Sequence, residues 1–179
     1  MALIEIKKDN DPILKKSAKS IRKVDDDLRR LASDMMETMI GAKGIGLAGN
    51  QVGCLRRIIT VMMDGEAQVF LNPRIVKKSE ETVSHDEGCL SFPGIAASVC
   101  RHECVRVHAQ DLEMKQVCVN AEEFLARVFQ HEIDHLNGIV FLERAEPGTI
   151  REITPETENS GFSLQSSVKD SLQSLKSED

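Results

Sequence analysis

The segment Gln-His-Glu-Ile-Asp-His-Leu at residues 130–136 constrains the fold more than any other part of the chain. His131 and His135 are four positions apart, so on a helix they share one face, and Glu132 projects about 100° away from His131. Both imidazoles can then bind one metal ion, and the carboxylate lies beside that ion, free to act on a water. The alternative is a polar helix face that matches this HExxH pattern by chance.

Two histidines do not complete a catalytic metal site, which usually has three protein ligands and one open position. The spacing leaves three sources for the third ligand. One is the thiolate of Cys89, in a loop bounded by glycine and proline, and another is a carboxylate downstream of the helix. The third is the group Cys100, His102 and Cys104, expected to point the same way along one strand. We interpret Cys100 and Cys104 as small buried hydrophobic residues rather than as a second metal site.

Residues 44–49, Gly-Ile-Gly-Leu-Ala-Gly, match the dinucleotide-binding pattern GxGxxG literally. That pattern needs a strand before it and a helix after it, whereas here a predicted helix precedes it and a predicted strand follows. The sequence therefore favours another role, in which backbone is exposed to an extended ligand and Gln51 offers an amide donor.

The periodicity of apolar residues predicts two helices, one between residues 24 and 41 and one from Ala121 to Asn137. Extended segments lie between them, namely a hairpin of residues 57–63 and 68–71 around Asp64-Gly65, a strand with Val99, Val105 and Val107 on one face, and residues 117–119. This order predicts an α+β fold, with mixed, mostly antiparallel β-sheets around a central metal-binding helix.

The composition becomes polar after residue 146, which predicts a catalytic domain at 1–146 and a tail at 147–179. The tail either forms a short amphipathic helix, with its apolar face made by Leu164, Val168, Leu172 and Leu175, or remains solvated.

A net charge of −6 and 3% aromatic residues argue against nucleic-acid binding. The odd number of cysteines, five, and the lack of a membrane-spanning apolar run or secretion signal predict a cytoplasmic protein without a membrane partner.

Three blocks together, GIGLAGNQ at 44–51, EGCLS at 87–91 and QHEIDH at 130–135, resemble the peptide deformylase family. The resemblance covers about residues 3–145. It implies a metal-dependent hydrolase that removes the N-formyl group from the N-terminal methionine of newly made proteins and releases formate. Its implied partners are N-formylmethionyl nascent peptides, and contact of the tail with the ribosome is a further hypothesis.

The same resemblance implies roles for individual residues. Cys89, His131 and His135 would bind one divalent ion, for which the resemblance favours Fe²⁺ and a thiolate ligand also tolerates Zn²⁺. Glu132 would be the general base and acid, while Gln51 and the backbone N–H of Leu90 would stabilise the oxyanion. A groove lined by Ile45, Gly46 and Gly88 would bind the extended peptide. An apolar pocket formed by Leu125 and Val128 would bind the methionine side chain.

Two other functions fit parts of the sequence. An HExxH peptidase that cuts internal peptide bonds would use a different third ligand, and a metal-stabilised binding module would need a closed four-ligand site. The chain also departs from the family pattern at Gly49, where alanine is usual, and the hairpin at Asp64-Gly65 looks shorter than in many relatives. His85 is expected near the pocket but has no assigned role.

Overall fold

A computed structural model describes residues 3–153 of the 179-residue chain. These residues form two α-helices, eight strands and three short 3-10 helices. The helices are α1 (Asp26–Gly41) and α2 (Glu123–Leu136). The strands are β1 (Gly46–Ala48), β2 (Ile58–Met63), β3 (Glu66–Lys78), β4 (Thr82–Cys89), β5 (Phe92–His102), β6 (Cys104–Gln110), β7 (Gln116–Glu122) and β8 (Arg151–Glu152). The helix suggested for Leu164–Leu175 lies outside the described residues.

Helix α1 begins at Asp25, whose carboxylate accepts a hydrogen bond of 2.8 Å from the backbone N–H of Leu28. Such a cap satisfies a donor that has no partner within the helix. The inward face buries Leu28, Ala32, Met35 and Met39 in a cluster with residues of β2 and β3. The apolar spacing from residue 28 to 39 therefore predicted the helix and its buried face correctly.

A five-stranded antiparallel sheet has the strand order β1-β2-β3-β6-β7. Its β2–β3 hairpin closes at Asp64 and Gly65, with φ angles of 54° and 81°, and Met63 pairs with Glu66. The predicted hairpin is confirmed. Strand β3 continues further than expected, through Pro73 to Lys78.

The second sheet is three-stranded, with the order β4-β5-β8. It corrects one prediction, because Val99 lies in β5 whereas Val105 and Val107 lie in β6 of the other sheet. The chain crosses between the sheets at Glu103, whose N–H donates to the carbonyl of Glu81 at 3.1 Å. Regular valine spacing could not reveal this crossing.

The same crossing separates Cys100 from Cys104, and both side chains are exposed. The prediction that these two residues are small buried hydrophobes is therefore wrong. Nor do Cys100, His102 and Cys104 form a metal cluster. Within residues 3–153, one group of three His, Cys, Asp or Glu side chains lies close enough together to hold a metal ion, and it is elsewhere in the fold.

Helix α2 lies between the two sheets, and every residue from Ala126 to Leu136 is buried. Phe129, Ile133 and Leu136 pack into the apolar cluster of the five-stranded sheet. On the side towards the three-stranded sheet the helix is polar: Arg127 donates to the carbonyls of Val99 and Val83, both at 2.7 Å. The predicted α+β fold with antiparallel sheets around a central helix is confirmed, and no helix among the described residues is long and apolar enough to cross a bilayer.

Candidate metal centre

Three side chains from two distant parts of the sequence meet at one point. Cys89 is the last residue of β4, and His131 and His135 lie one turn apart on α2. The Sγ of Cys89 is 3.3 Å from Nε2 of His135, which is 3.2 Å from Nε2 of His131. The ligand atoms all lie within 4.8 Å of one another. One sulfur and two imidazole nitrogens at this separation form a donor set that suits a transition metal ion.

The orientation of His131 supports this fit. Its Nδ1 lies 2.9 Å from a carboxylate oxygen of Glu87. A carboxylate accepts, so Nδ1 carries a proton and Nε2 is turned towards Cys89 and His135, the orientation of a metal-binding histidine. Nδ1 of His135 is buried without a hydrogen-bond partner among the described residues, so no carboxylate orients this ring as Glu87 orients His131.

The electrostatics of the two histidines differ although the rings touch. Burial acts to lower the pKa of His131, but hydrogen bonds to Cys89 and Glu87 outweigh burial and raise it well above the ordinary value. Burial and then the neighbouring His131 lower the pKa of His135 well below that value. The centre therefore keeps His135 neutral, which is the state in which an imidazole binds a metal.

Glu87 is the centre of a buried ionic network that sequence reasoning missed. Arg101 binds both of its oxygens, at 2.9 and 3.0 Å, and Arg127 donates to one of them at 2.8 Å. Arg101 and Arg144 both bind Asp134, the residue before His135. Burial would raise the pKa of Glu87, but the hydrogen bonds from His131 and Arg101 lower it strongly, so Glu87 is ionised.

A signal for Glu87 was present in the sequence. A metal-binding histidine almost always donates its second N–H to a carboxylate or carbonyl. Glu87 is two residues before Cys89, close enough in the chain to fill that role. The sequence did not say which of several nearby carboxylates would face His131, because that depends on the pairing of β4 with β5.

Glu132 lies beside the three donor atoms, not among them. It is 4% exposed, and its Oε2 has no hydrogen-bond partner within residues 3–153. Burial raises its pKa to about 7, a value at which a carboxyl group can both accept and return a proton near neutral pH. A buried oxygen without a partner calls for a specific explanation, such as a catalytic role or a bound water or ion.

Strand β1 approaches this carboxylate at Gly46. A Cβ atom at that position would lie 2.3 Å from Oε1 of Glu132, a distance that real Cβ contacts essentially never show. Glycine at this position therefore lets β1 pass the carboxylate without displacing it. This contact explains the second glycine of the GIGLAG segment better than any nucleotide-binding role.

Gln51 places an amide donor at the centre. Its Oε1 accepts from the N–H of Ala48 at 2.8 Å, which fixes the amide so that Nε2 faces the centre. Nε2 donates to Oγ of Ser91 at 3.2 Å and to Sγ of Cys89 at 3.3 Å. Gln51 is 1% exposed, so the donor is held rigidly.

The donor atoms open into a cleft between β1, the β4–β5 turn and α2. Most residues predicted to bind substrate or the oxyanion line it, namely Ile45, Gly46, Gln51, Gly88, Leu90 and Val128. His85 is exposed, and its neighbour Asp86 lines the cleft instead.

The prediction that Leu125 lies in this pocket is not met. Leu125 and Phe124 both pack against the apolar cluster of the five-stranded sheet, but of the two Phe124 lines the cleft. The reason is helical periodicity, because Phe124, Val128 and His131 are spaced by four and three residues and share a face. Leu125 is rotated about 100° from that face.

The family model described as polypeptide deformylase matches residues 3–150. A peptide deformylase of Symbiobacterium thermophilum is 42% identical over 177 residues, which cover 90% of this chain and 81% of that protein.

Two solved structures are similar throughout the fold. The crystal structure of peptide deformylase from Thermotoga maritima has a TM-score of 0.80 and 37% identity, covering 82% of this chain and 100% of the other. A class I type b peptide deformylase of Acinetobacter baumannii, crystallised with Met-Ala-Ser bound, has a TM-score of 0.76 and 35% identity, covering 80% and 98%.

Proposed function

The chain belongs to the polypeptide deformylase family and is a hydrolase that removes the N-formyl group from new peptides, and we propose that Cys89, His131, His135 and Glu132 carry out this reaction. The observation that supports the proposal is the meeting of one thiol and two imidazole nitrogens within 4.8 Å, next to a buried carboxyl group with an unpaired oxygen. Three ligands and a separate carboxylate are the open, catalytic pattern rather than a closed structural site.

Cys89, His131 and His135 would hold one divalent cation, which polarises a carbonyl oxygen and lowers the pKa of water from about 16 towards 7. Glu87 keeps His131 in the tautomer that binds the cation, through the 2.9 Å contact with Nδ1. A sulfur ligand suits Fe²⁺ or Zn²⁺, and we propose Fe²⁺ as the native ion. Exposure of the thiolate to oxidants would then make the enzyme sensitive to air.

Glu132 moves the protons in this scheme. Water attacks the formyl carbon while Oε2 of Glu132 takes a proton from that water. The carboxyl group then gives the proton to the peptide nitrogen as the C–N bond breaks, so that formate and a free amino terminus are released. A pKa of about 7 lets Glu132 perform both steps at neutral pH.

Gln51 and the backbone N–H of Leu90 would stabilise the negative oxygen that forms during attack. The amide of Gln51 already faces the centre, since Oε1 is occupied by the N–H of Ala48. A donor fixed before the reaction needs no reorganisation, and removal of one such donor typically costs about 10²-fold to 10³-fold in kcat.

The substrate would lie in the cleft as an extended strand. Ile45, Gly46 and Gly88 supply backbone beside it, and an extended peptide can pair with such an edge through main-chain hydrogen bonds. Phe124 and Val128, next to His131 on α2, would bind the methionine side chain. The relative from Acinetobacter baumannii, crystallised with Met-Ala-Ser, supports binding of a peptide that begins with methionine.

The Glu132→Gln variant tests the assignment. We expect it to retain its metal and to release formate from a formyl-methionyl peptide about 10²-fold to 10⁴-fold more slowly. Glu122→Gln is a matched control, because Glu122 is exposed at the end of β7, just before the same helix. Native turnover by Glu132→Gln, with metal bound, would show that another group moves the proton.

A peptidase that cuts internal bonds is the rival function for the same helix. Incubation with a formylated and an unformylated peptide of equal sequence separates the two. Deformylation releases formate and leaves the peptide otherwise whole. Shorter peptides appearing from the unformylated substrate would favour the rival.

Cytoplasmic location and contact of the polar tail with the ribosome are part of the proposal, and so is a catalytic domain that ends after β8 rather than at residue 146. Strand β8, at residues 151–152, pairs with β5 and so continues the ordered fold past residue 146. A chain ending at residue 153 keeps this strand and lacks the rest of the predicted tail. If that chain sediments with ribosomes as well as the full chain does, the tail is not the contact.

A further inference from the structure

The outer part of the cleft has an apolar wall that the proposed reaction does not use. Ile95 of β5 and Ile153, the residue after β8, both line the cleft. Ile153 lies beyond residue 150, where the match to the family model ends. Its side chain is half-buried.

The segment that carries Ile153 is held in place by two kinds of contact. Strand β8 pairs with β5 in the register Ile95 to Glu152, and the N–H of Ile153 donates to the carbonyl of Gly94 at 2.7 Å. Arg151 donates to the carboxylate of Asp86, another residue of the cleft, at 3.1 Å. Backbone pairing and an ion pair together fix Ile153 against the cleft.

Ile150 shows that this placement is specific to Ile153. Ile150 is the same residue type three positions earlier, yet it is 55% exposed and does not line the cleft. The chain thus turns one of these two isoleucines outwards and the other towards the space where substrate would lie.

An extended peptide advances about 3.3–3.6 Å per residue, and its side chains alternate between two sides. With the methionine side chain against Phe124 and Val128, the following residues continue through the same cleft. We propose that Ile95 and Ile153 form an apolar subsite for the side chain of a residue downstream of the N-terminal methionine. The subsite rests on the proposed function, because it assumes that methionine occupies the inner pocket.

The test compares formylated tetrapeptides that begin with methionine and carry leucine or glycine at the second, third or fourth position. The measurement is the ratio of kcat/KM for the leucine peptide to that for the glycine peptide. Each buried methylene is worth about 4-fold. We therefore expect the native enzyme to prefer leucine by about 4-fold to 15-fold at one position at least. In Ile153→Ala this ratio should fall towards 1, and in Ile153→Val it should be intermediate.

Ile150→Ala is the matched control and should keep the native ratio. The subsite is refuted if the native enzyme shows no leucine preference, if Ile153→Ala retains it, or if Ile150→Ala loses it equally. The ratio compares two substrates of one protein, so partial unfolding of a variant does not mimic the result. If the native enzyme released no formate even from the glycine peptides, the proposed function would fail rather than the subsite.

Discussion

Replacing Gly46 by alanine tests whether the position of Glu132 limits the reaction. The added Cβ would lie 2.3 Å from Oε1, 2.7 Å from Cδ and 2.8 Å from Cγ of Glu132. Ordinary contact begins near 3.4 Å, so the carboxylate must retreat by about 1 Å. Helix α2 cannot move with it, because its buried residues pack against both sheets. The side chain must therefore rotate out of its present position.

A displacement of about 1 Å at a reacting group can cost about 10²-fold. Complete loss of proton transfer would cost about 10²-fold to 10⁴-fold. We expect kcat of Gly46→Ala to fall within this range. Metal content should stay native, because Cys89, His131 and His135 are untouched. The assays are initial rates of formate release with varied peptide concentration, and metal analysis of the same sample.

Two comparisons make the result decisive. Gly41→Ala is a matched control, since its Cβ would meet only Leu3, at an ordinary 3.4 Å. In a double variant with Glu132→Gln, the Gly46→Ala change should cost little more than Glu132→Gln alone, since both act on one group. Native kcat for Gly46→Ala, or full additivity in the double variant, would refute the reasoning.

Three further predictions concern stability. Glu87→Gln leaves Arg101 and Arg127 buried without the negative charge that they share. The free energy of unfolding of this variant, measured in urea, should therefore fall by about 3–5 kcal/mol. A fall of less than about 1 kcal/mol would contradict the proposed role of Glu87 in the ionic network. In the metal-free protein, folded Glu132 keeps its proton up to pH about 7, whereas unfolded Glu132 loses it near 4.5. Unfolding free energy should therefore drop by about 3 kcal/mol as pH rises between these values, and Glu132→Gln should abolish that drop. Gly49→Ala would bring Cβ within 2.7 and 2.8 Å of two backbone carbonyl oxygens, so it should cost about 1–3 kcal/mol, seen as a lower Tm; an unchanged Tm would mean that this loop yields freely.

What the sequence could predict was set by local spacing. The four-residue interval of His131 and His135 places them on one face of any helix, and the apolar spacing of α1 gave its buried side. A shift of one residue along a helix also changes the direction in which a side chain points, as Leu125 shows. Leu125 and Phe124 both pack against the same apolar cluster, but a rotation of about 100° leaves Phe124 lining the cleft and turns Leu125 away from it.

What the sequence could not predict depends on contacts between distant segments. The valines at 99, 105 and 107 look continuous, yet the chain crosses from one sheet to the other at Glu103. Glu87 meets His131 only because β4 ends beside α2.

The central claim is that one thiolate and two imidazoles bind the same ion. X-ray absorption spectroscopy on protein purified without oxygen tests it directly, because the edge identifies the element and the fine structure counts its neighbours. We predict one sulfur at about 2.3 Å and two imidazole nitrogens at about 2.0–2.1 Å, with the sulfur signal absent in Cys89→Ser. A bound metal with no sulfur neighbour in the native protein would contradict the account.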